Sequence, residues 1–132
     1  MVGWRVVRRP NRVLLIDDNE PTLRMVSSVL QQSGFEVRTS LGLEHVASAV
    51  GEWSPELILT DVNMPGTSGV ELCRRLKATY ETAHVPVILF SALEPAELEL
   101  LVRTCEADGF VTKRNLANLS SELSLLIDNL ML

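Results

Sequence analysis

Short unbroken apolar runs alternate along this chain with segments in which apolar residues recur every three or four positions. The first run, Val13 to Ile16 inside a strand spanning Arg12 to Asp17, is the pattern of a strand buried on both faces. Pro21 then suits the first turn of a helix whose apolar positions are Leu23, Val26 and Leu30, with Gly34 as a natural stop. A weaker strand follows at Phe35 to Thr39, and Leu43, Val46, Ala47 and Val50 mark a second helix that should end near Gly51. Glu56 to Thr60 reads as a third strand leading into Asp61. Ser68 and Glu71 have capping-box spacing and should start a third helix carried by Val70, Cys73 and Leu76. The fourth strand, Val87 to Phe90, stops at Ser91, and Pro95 opens a fourth helix through Leu98, Leu101, Val102 and Cys105. A short fifth strand, Gly109 to Thr112, ends at Lys113. From Asn115 a last helix places Leu116, Leu119, Leu123, Ile127 and Leu130 on one side. Five strand–helix units in strict alternation imply parallel strands, right-handed crossovers and helices on both faces: a three-layer α/β sandwich with no internal linker or repeat.

Composition narrows this frame. The 132 residues suit one compact domain, and nearly half are apolar, which supports a folded core. A net charge of −5 argues against broad nucleic-acid binding, and no apolar run approaches the length of a membrane span. Cys73 and Cys105 fall in helical stretches and read as small buried apolar residues in a reduced compartment, so the cytoplasm is the expected location. Residues 1–11 carry Arg5, Arg8 and Arg9 without the apolar centre of a signal peptide. Trp4, Val6 and Val7 alternate with polar residues, but a frayed N-terminal extension before a domain spanning 12–132 is the simpler expectation.

The chemistry lies where the strands end. Four of the five expected strands finish on a specific polar group: Asp17 and Asp18, then Asp61, Ser91 and Lys113. In a parallel sheet these tips share one edge, where open α/β sheets place their ligands. Each has a bland alternative. Asp18 or Asn19 could cap the first helix, Asp61 could be a turn residue, Ser91 a cap for the fourth helix and Lys113 a solvated charge. All falling on one edge by chance is much harder to accept. Clustered carboxylates repel, raising a pKa or calling for a cation, and oxygen ligands suit a hard ion such as Mg²⁺. With a lysine beside them the set fits phosphoryl transfer, in which a carboxylate can itself be the nucleophile.

These residues resemble a known family, the receiver domain of two-component response regulators. The resemblance covers roughly Arg12 to Leu130 and is carried by Asp17-Asp18, by Asp61-Val62-Asn63-Met64-Pro65 with Gly69 eight residues past the Asp, by Ser91-Ala92, and by Lys113. It implies a flavodoxin-like fold with sheet order 2-1-3-4-5. It implies that Asp61 accepts a phosphoryl group from a phosphohistidine on a sensor histidine kinase or phosphotransfer protein. Asp18, Asp61 and the backbone carbonyl of Asn63 would hold Mg²⁺, Asp17 would act through water, and Ser91 and Lys113 would contact phosphoryl oxygens. Ser91 and Phe110 match the family's switch positions, so the surface of the fourth helix, fifth strand and last helix is expected to meet a downstream target, an output domain or a second copy.

Three departures stand out. Arg114 follows Lys113 where the family usually has Pro, often after a cis bond; before a non-proline residue that bond costs about 3–4 kcal/mol, so a trans bond is expected. Phe110 lacks the hydroxyl of the commoner Tyr, and Val62 replaces an aromatic sometimes found beside the acceptor. Competing readings are a degenerate receiver serving as a scaffold, an aspartyl-phosphate phosphatase and a flavodoxin-type binding module. Asn63 stands where such a phosphatase needs an acid, and no Gly-rich phosphate loop follows the first strand. Little turnover beyond self-phosphorylation and slow self-dephosphorylation is therefore expected. His45 and His84 read as surface residues.

Overall fold

The computed structural model describes residues 11–42, 45–63, 68–79 and 82–130. Five parallel strands, β1 (Arg12–Asp17), β2 (Glu36–Leu41), β3 (Leu57–Asp61), β4 (Val87–Ser91) and β5 (Gly109–Thr112), form one sheet in the order β2-β1-β3-β4-β5. Between and after them run α1 (Glu20–Gln32), α2 (Val46–Trp53), α3 (Gly69–Ala78), α4 (Pro95–Cys105) and α5 (Leu119–Leu130). This is the flavodoxin-like arrangement expected from the alternation and the resemblance.

Period-2 alternation divides each buried strand between two cores. Leu14, Ile16, Ile58, Val87 and Leu89 face one side and pack with Val46, Leu72, Cys73, Leu76 and Leu98 from α2, α3 and α4. Val13, Leu15, Leu57, Leu59, Ile88 and Phe90 face the other and pack with Leu23, Val26, Leu30, Leu119, Leu123 and Ile127 from α1 and α5. Every residue of β3 and β4 is buried, which is why those runs read as continuously apolar. The outer strand β2 buries only Ser40, so its pattern is faint.

Local signals explain most boundaries. Asn19, rather than Asp18, caps α1: its side chain accepts from the Thr22 backbone N–H at 2.9 Å. That helix ends with Gly34 at φ +95°, its N–H donating to the Gln31 carbonyl while the Phe35 N–H reaches the Leu30 carbonyl, a Schellman stop. Ser68 caps α3 by accepting from the Glu71 N–H at 3.1 Å, as its spacing implied.

Several boundaries differ from expectation. Strand β2 begins at Glu36 because the Phe35 N–H is taken by the helix stop, and it reaches Leu41 by pairing alongside Asp17 of β1. Strand β3 starts one residue later than expected, at Leu57. Helix α2 runs through Gly51 to Trp53 and stops at Ser54, in the left-handed region with Pro55 next. Trp53 decides this, packing against the first core with the Arg38 guanidinium 5.2 Å from its ring centre. The last helix begins with a 3-10 turn at Leu116–Asn118, and Leu130 lies exposed instead of joining the buried row. Leu43 and the residues before Asn11, Trp4 among them, lie outside the described residues. Cys73 and Cys105 are buried free thiols, and His45 and His84 are exposed. No helix among the described residues is long and apolar enough to cross a membrane.

Candidate functional site

The C-terminal ends of β1, β3, β4 and β5 come together as the strand registers require: Ile16 pairs with Thr60, Asp61 with Phe90, and Ser91 with Thr112. One ligand oxygen each from Asp17, Asp18 and Asp61 lies within 4.8 Å of the others. Lys113, just past β5, reaches across this edge. Its ammonium sits 2.7 Å from Asp17 Oδ2 and 3.2 Å from Asp61 Oδ1, passing 5.2 Å from the centre of the Phe90 ring. It is an ion-pair partner of two carboxylates and no solvated surface charge.

The two inner carboxylates are held differently. Asp17 is fully buried; Oδ1 accepts from the Asn19 N–H at 3.1 Å, while Oδ2 makes no aligned hydrogen bond although the Lys113 ammonium lies 2.7 Å away. A buried oxygen left in that condition, with a second acidic group exposed at Asp18, is a donor set suited to a hard cation. Asp61 accepts from the Val62 N–H at 2.8 Å through Oδ1. Burial pushes its carboxyl above the ordinary value of 3.8; the neighbouring Asp17 charge adds to this, and Lys113 with the Val62 N–H opposes it.

That direction predicts a pH dependence. A folded-state pKa above the unfolded one gives stability that is fully present below the ordinary carboxylate value and lost as pH rises through the raised one. In chelator-treated protein, the melting temperature of Asp61→Asn minus that of the unsubstituted chain should therefore increase as pH rises through this window and then level off. A difference independent of pH would show that Asp61 titrates normally.

Ser91 is buried at the end of β4, and its hydroxyl accepts from the Leu93 N–H at 3.1 Å. It does not cap α4, whose N-cap is Glu94. Asn63 is exposed immediately after Val62, whereas Met64 and Pro65 lie outside the described residues. Phe110 is partly buried on β5 and lines a cavity of about 340 Å³ with Pro95, Leu125 and Leu126. The Lys113–Arg114 bond is trans, as no described peptide bond is cis.

One contributor escaped the sequence pattern, and another showed there only as a spacing. The buried Thr60 hydroxyl donates to the Asp61 carbonyl at 3.0 Å, tying down the backbone of the central carboxylate. Gly69 noses into the same spot: its N–H donates to the Val62 carbonyl at 2.8 Å, and a Cβ there would overlap the Asp61 carbonyl oxygen. The spacing from Asp61 to Gly69 was visible in the sequence, but the close approach behind it was not.

Comparison with known proteins places this geometry. A family model described as the response regulator receiver domain matches residues 13–124. The phosphate regulon transcriptional regulatory protein PhoB of Pseudomonas aeruginosa is 32% identical over 101 residues, 76% of this chain and 44% of PhoB. The chain therefore spans less than half the length of that relative. The polar-differentiation response regulator DivK of Brucella anthropi is 33% identical over 105 residues, covering 79% of this chain and 85% of DivK. Among solved structures, a response regulator from Desulfuromonas acetoxidans superposes with a TM-score of 0.77 at 30% identity, over 91% of this chain and 98% of that one. Sequence, fold and the shared sheet edge agree, and the chain belongs to the response regulator receiver domains of two-component signalling systems.

Proposed function

We propose that the domain comprising residues 12–132 is a phosphorylation switch acting in the cytoplasm, with Asp61 as the phosphoacceptor. The observation that carries this is Lys113 bridging Asp17 and Asp61 at the sheet edge, with Asp18 beside them. The Asp61 carboxylate attacks the phosphorus of a phosphohistidine on a sensor kinase or phosphotransfer protein. An O–P bond forms as the P–N bond breaks, and the imidazole keeps the electron pair and takes a proton from water. Lys113 offsets charge on the transferred phosphoryl oxygens, and the Ser91 hydroxyl donates to one of them.

Asp18, Asp61 and the Asn63 carbonyl would hold Mg²⁺, with Asp17 acting through water; the bound ion supplies further charge neutralisation at the phosphoryl group. Phosphorylation adds about −1.5 to −2 charges in this cleft. Ser91 and Phe110 carry that change to the α4–β5–α5 surface, where an output domain, a target protein or a second copy binds. Asn63 offers no acid group for hydrolysis, so a phosphatase reading is not favoured over a switch that dephosphorylates slowly.

The test is incubation with acetyl phosphate and Mg²⁺, followed by intact mass and peptide mapping after borohydride reduction of the acyl phosphate. We expect one phosphate, on the peptide containing Asp61, and none when the cation is chelated. Phosphate mapping to another residue would sink the assignment, and sustained turnover of a generic phosphomonoester would favour the phosphatase.

A further inference from the structure

The residue after Lys113 is Arg114, and its guanidinium reaches back to the loop between β4 and α4. Nε donates to the Ala92 carbonyl at 3.0 Å, and Nη2 donates to Glu94 Oε1 at 2.6 Å. The arginine is itself fixed by its backbone N–H, which donates to the Thr112 hydroxyl at 3.0 Å. One position earlier, the Lys113 N–H donates to the Ser91 carbonyl at 2.9 Å. The end of β5 thus holds Ser91, Ala92 and Glu94, and Leu93 between them gives its N–H to the Ser91 hydroxyl. A shift of the Ser91 backbone, or of the Leu93 N–H that holds its hydroxyl, carries the Ala92 carbonyl with it and strains the guanidinium contacts. A planar fork can hold a carbonyl and a carboxylate together, which a lysine ammonium does less well. The Arg114 and Glu94 side chains are 50% and 60% exposed, so the hold is weak enough to be released.

We propose that Arg114 is a positioning residue: its guanidinium latches the Ser91–Glu94 loop to the end of β5 and resists movement of the Ser91 hydroxyl toward an oxyanion on Asp61. This rests on the phosphoacceptor reading. It assigns to Arg114 control over how readily that site charges, through a contact that proline at this position could not make.

The experiment uses the full chain as Arg114→Ala, Arg114→Lys and Glu94→Gln, with two readouts. Hydrogen exchange at the Leu93 amide reports the loop directly, and the rate of phosphate uptake from acetyl phosphate with Mg²⁺ reports the site. Losing an exposed two-point clasp should raise both by roughly two- to fivefold in Arg114→Ala, with the other two variants falling between it and the unsubstituted chain. Exchange at Leu59 and Leu89, in the sheet core, should not change, which separates a latch from general loosening. The proposal requires both changes; a rise in one readout alone overturns it. Slower uptake in Arg114→Ala also overturns it, because that result would assign Arg114 to holding Lys113 in place. If the unsubstituted chain takes up no phosphate, the phosphoacceptor reading falls and this inference with it; unchanged rates on a chain that does take up phosphate sink the latch alone.

Discussion

Asp61→Asn should take up no phosphate from acetyl phosphate while folding more stably than the unsubstituted chain when metal is chelated. The amide is not a competent nucleophile, so the mass gain should vanish rather than decline. The stability gain follows from the balance of forces on the carboxylate. Burial and the Asp17 charge disfavour its ionised form, and together they outweigh Lys113 and the Val62 N–H. A neutral isostere escapes the desolvation and the repulsion at the cost of weaker contact with Lys113. Thermal melts should show a rise of a few degrees in chelator. Added Mg²⁺ should stabilise the unsubstituted chain more than the variant, since a ligand stabilises by its affinity for the folded state and the variant lacks one carboxylate donor. A variant that melts lower than the unsubstituted chain in chelator would mean that the Lys113 pairing dominates.

Gly69→Ala should be the most damaging small substitution at this edge. The added Cβ would overlap the Asp61 carbonyl oxygen and lie 2.9 Å from its carbonyl carbon and 3.2 Å from Val62 Cα. All three neighbours are backbone, so no side chain can swing aside, and the start of α3 must lift off the end of β3. We expect a loss of about 3 kcal/mol, the upper end for overpacking, and a fall of about 10 °C in melting temperature. Phosphate uptake should drop as well, because the shift moves the peptide that carries Asp61. Gly51→Ala is the matched control. Gly51 lies inside α2 with open space around its Cβ direction, and alanine there should stabilise by about 0.5–1 kcal/mol. Equal melting temperatures for the two variants would refute the close approach at Gly69.

The sequence disclosed most about the elements buried on both faces. Strands β1, β3 and β4 announce themselves as apolar runs because helices cover both sides, and their polar tips stand out for the same reason. Boundaries set by tertiary contact were harder to read. Gly51 looks like a stop until Trp53 is seen packing against the core and Arg38, and the break before α5 leaves the leucine spacing unchanged. The site residues were legible as types at strand ends. Their pairing was not: that Lys113 bridges Asp17 and Asp61 depends on reach across three strands. Arg114 was noticed as a missing proline, while its grip on Ala92 and Glu94 depends on a neighbouring loop that no local spacing specifies.

The two cysteines bear on the redox reactivity of the fold. Both are buried, the Cys73 Sγ lies 3.4 Å from the Cys105 carbonyl oxygen, and burial pushes the Cys73 thiol up to about 12. Peroxides and electrophiles react with thiolates, and at neutral pH Cys73 supplies almost none. Burial therefore makes this thiol slow to react with peroxides and electrophiles while the fold is closed.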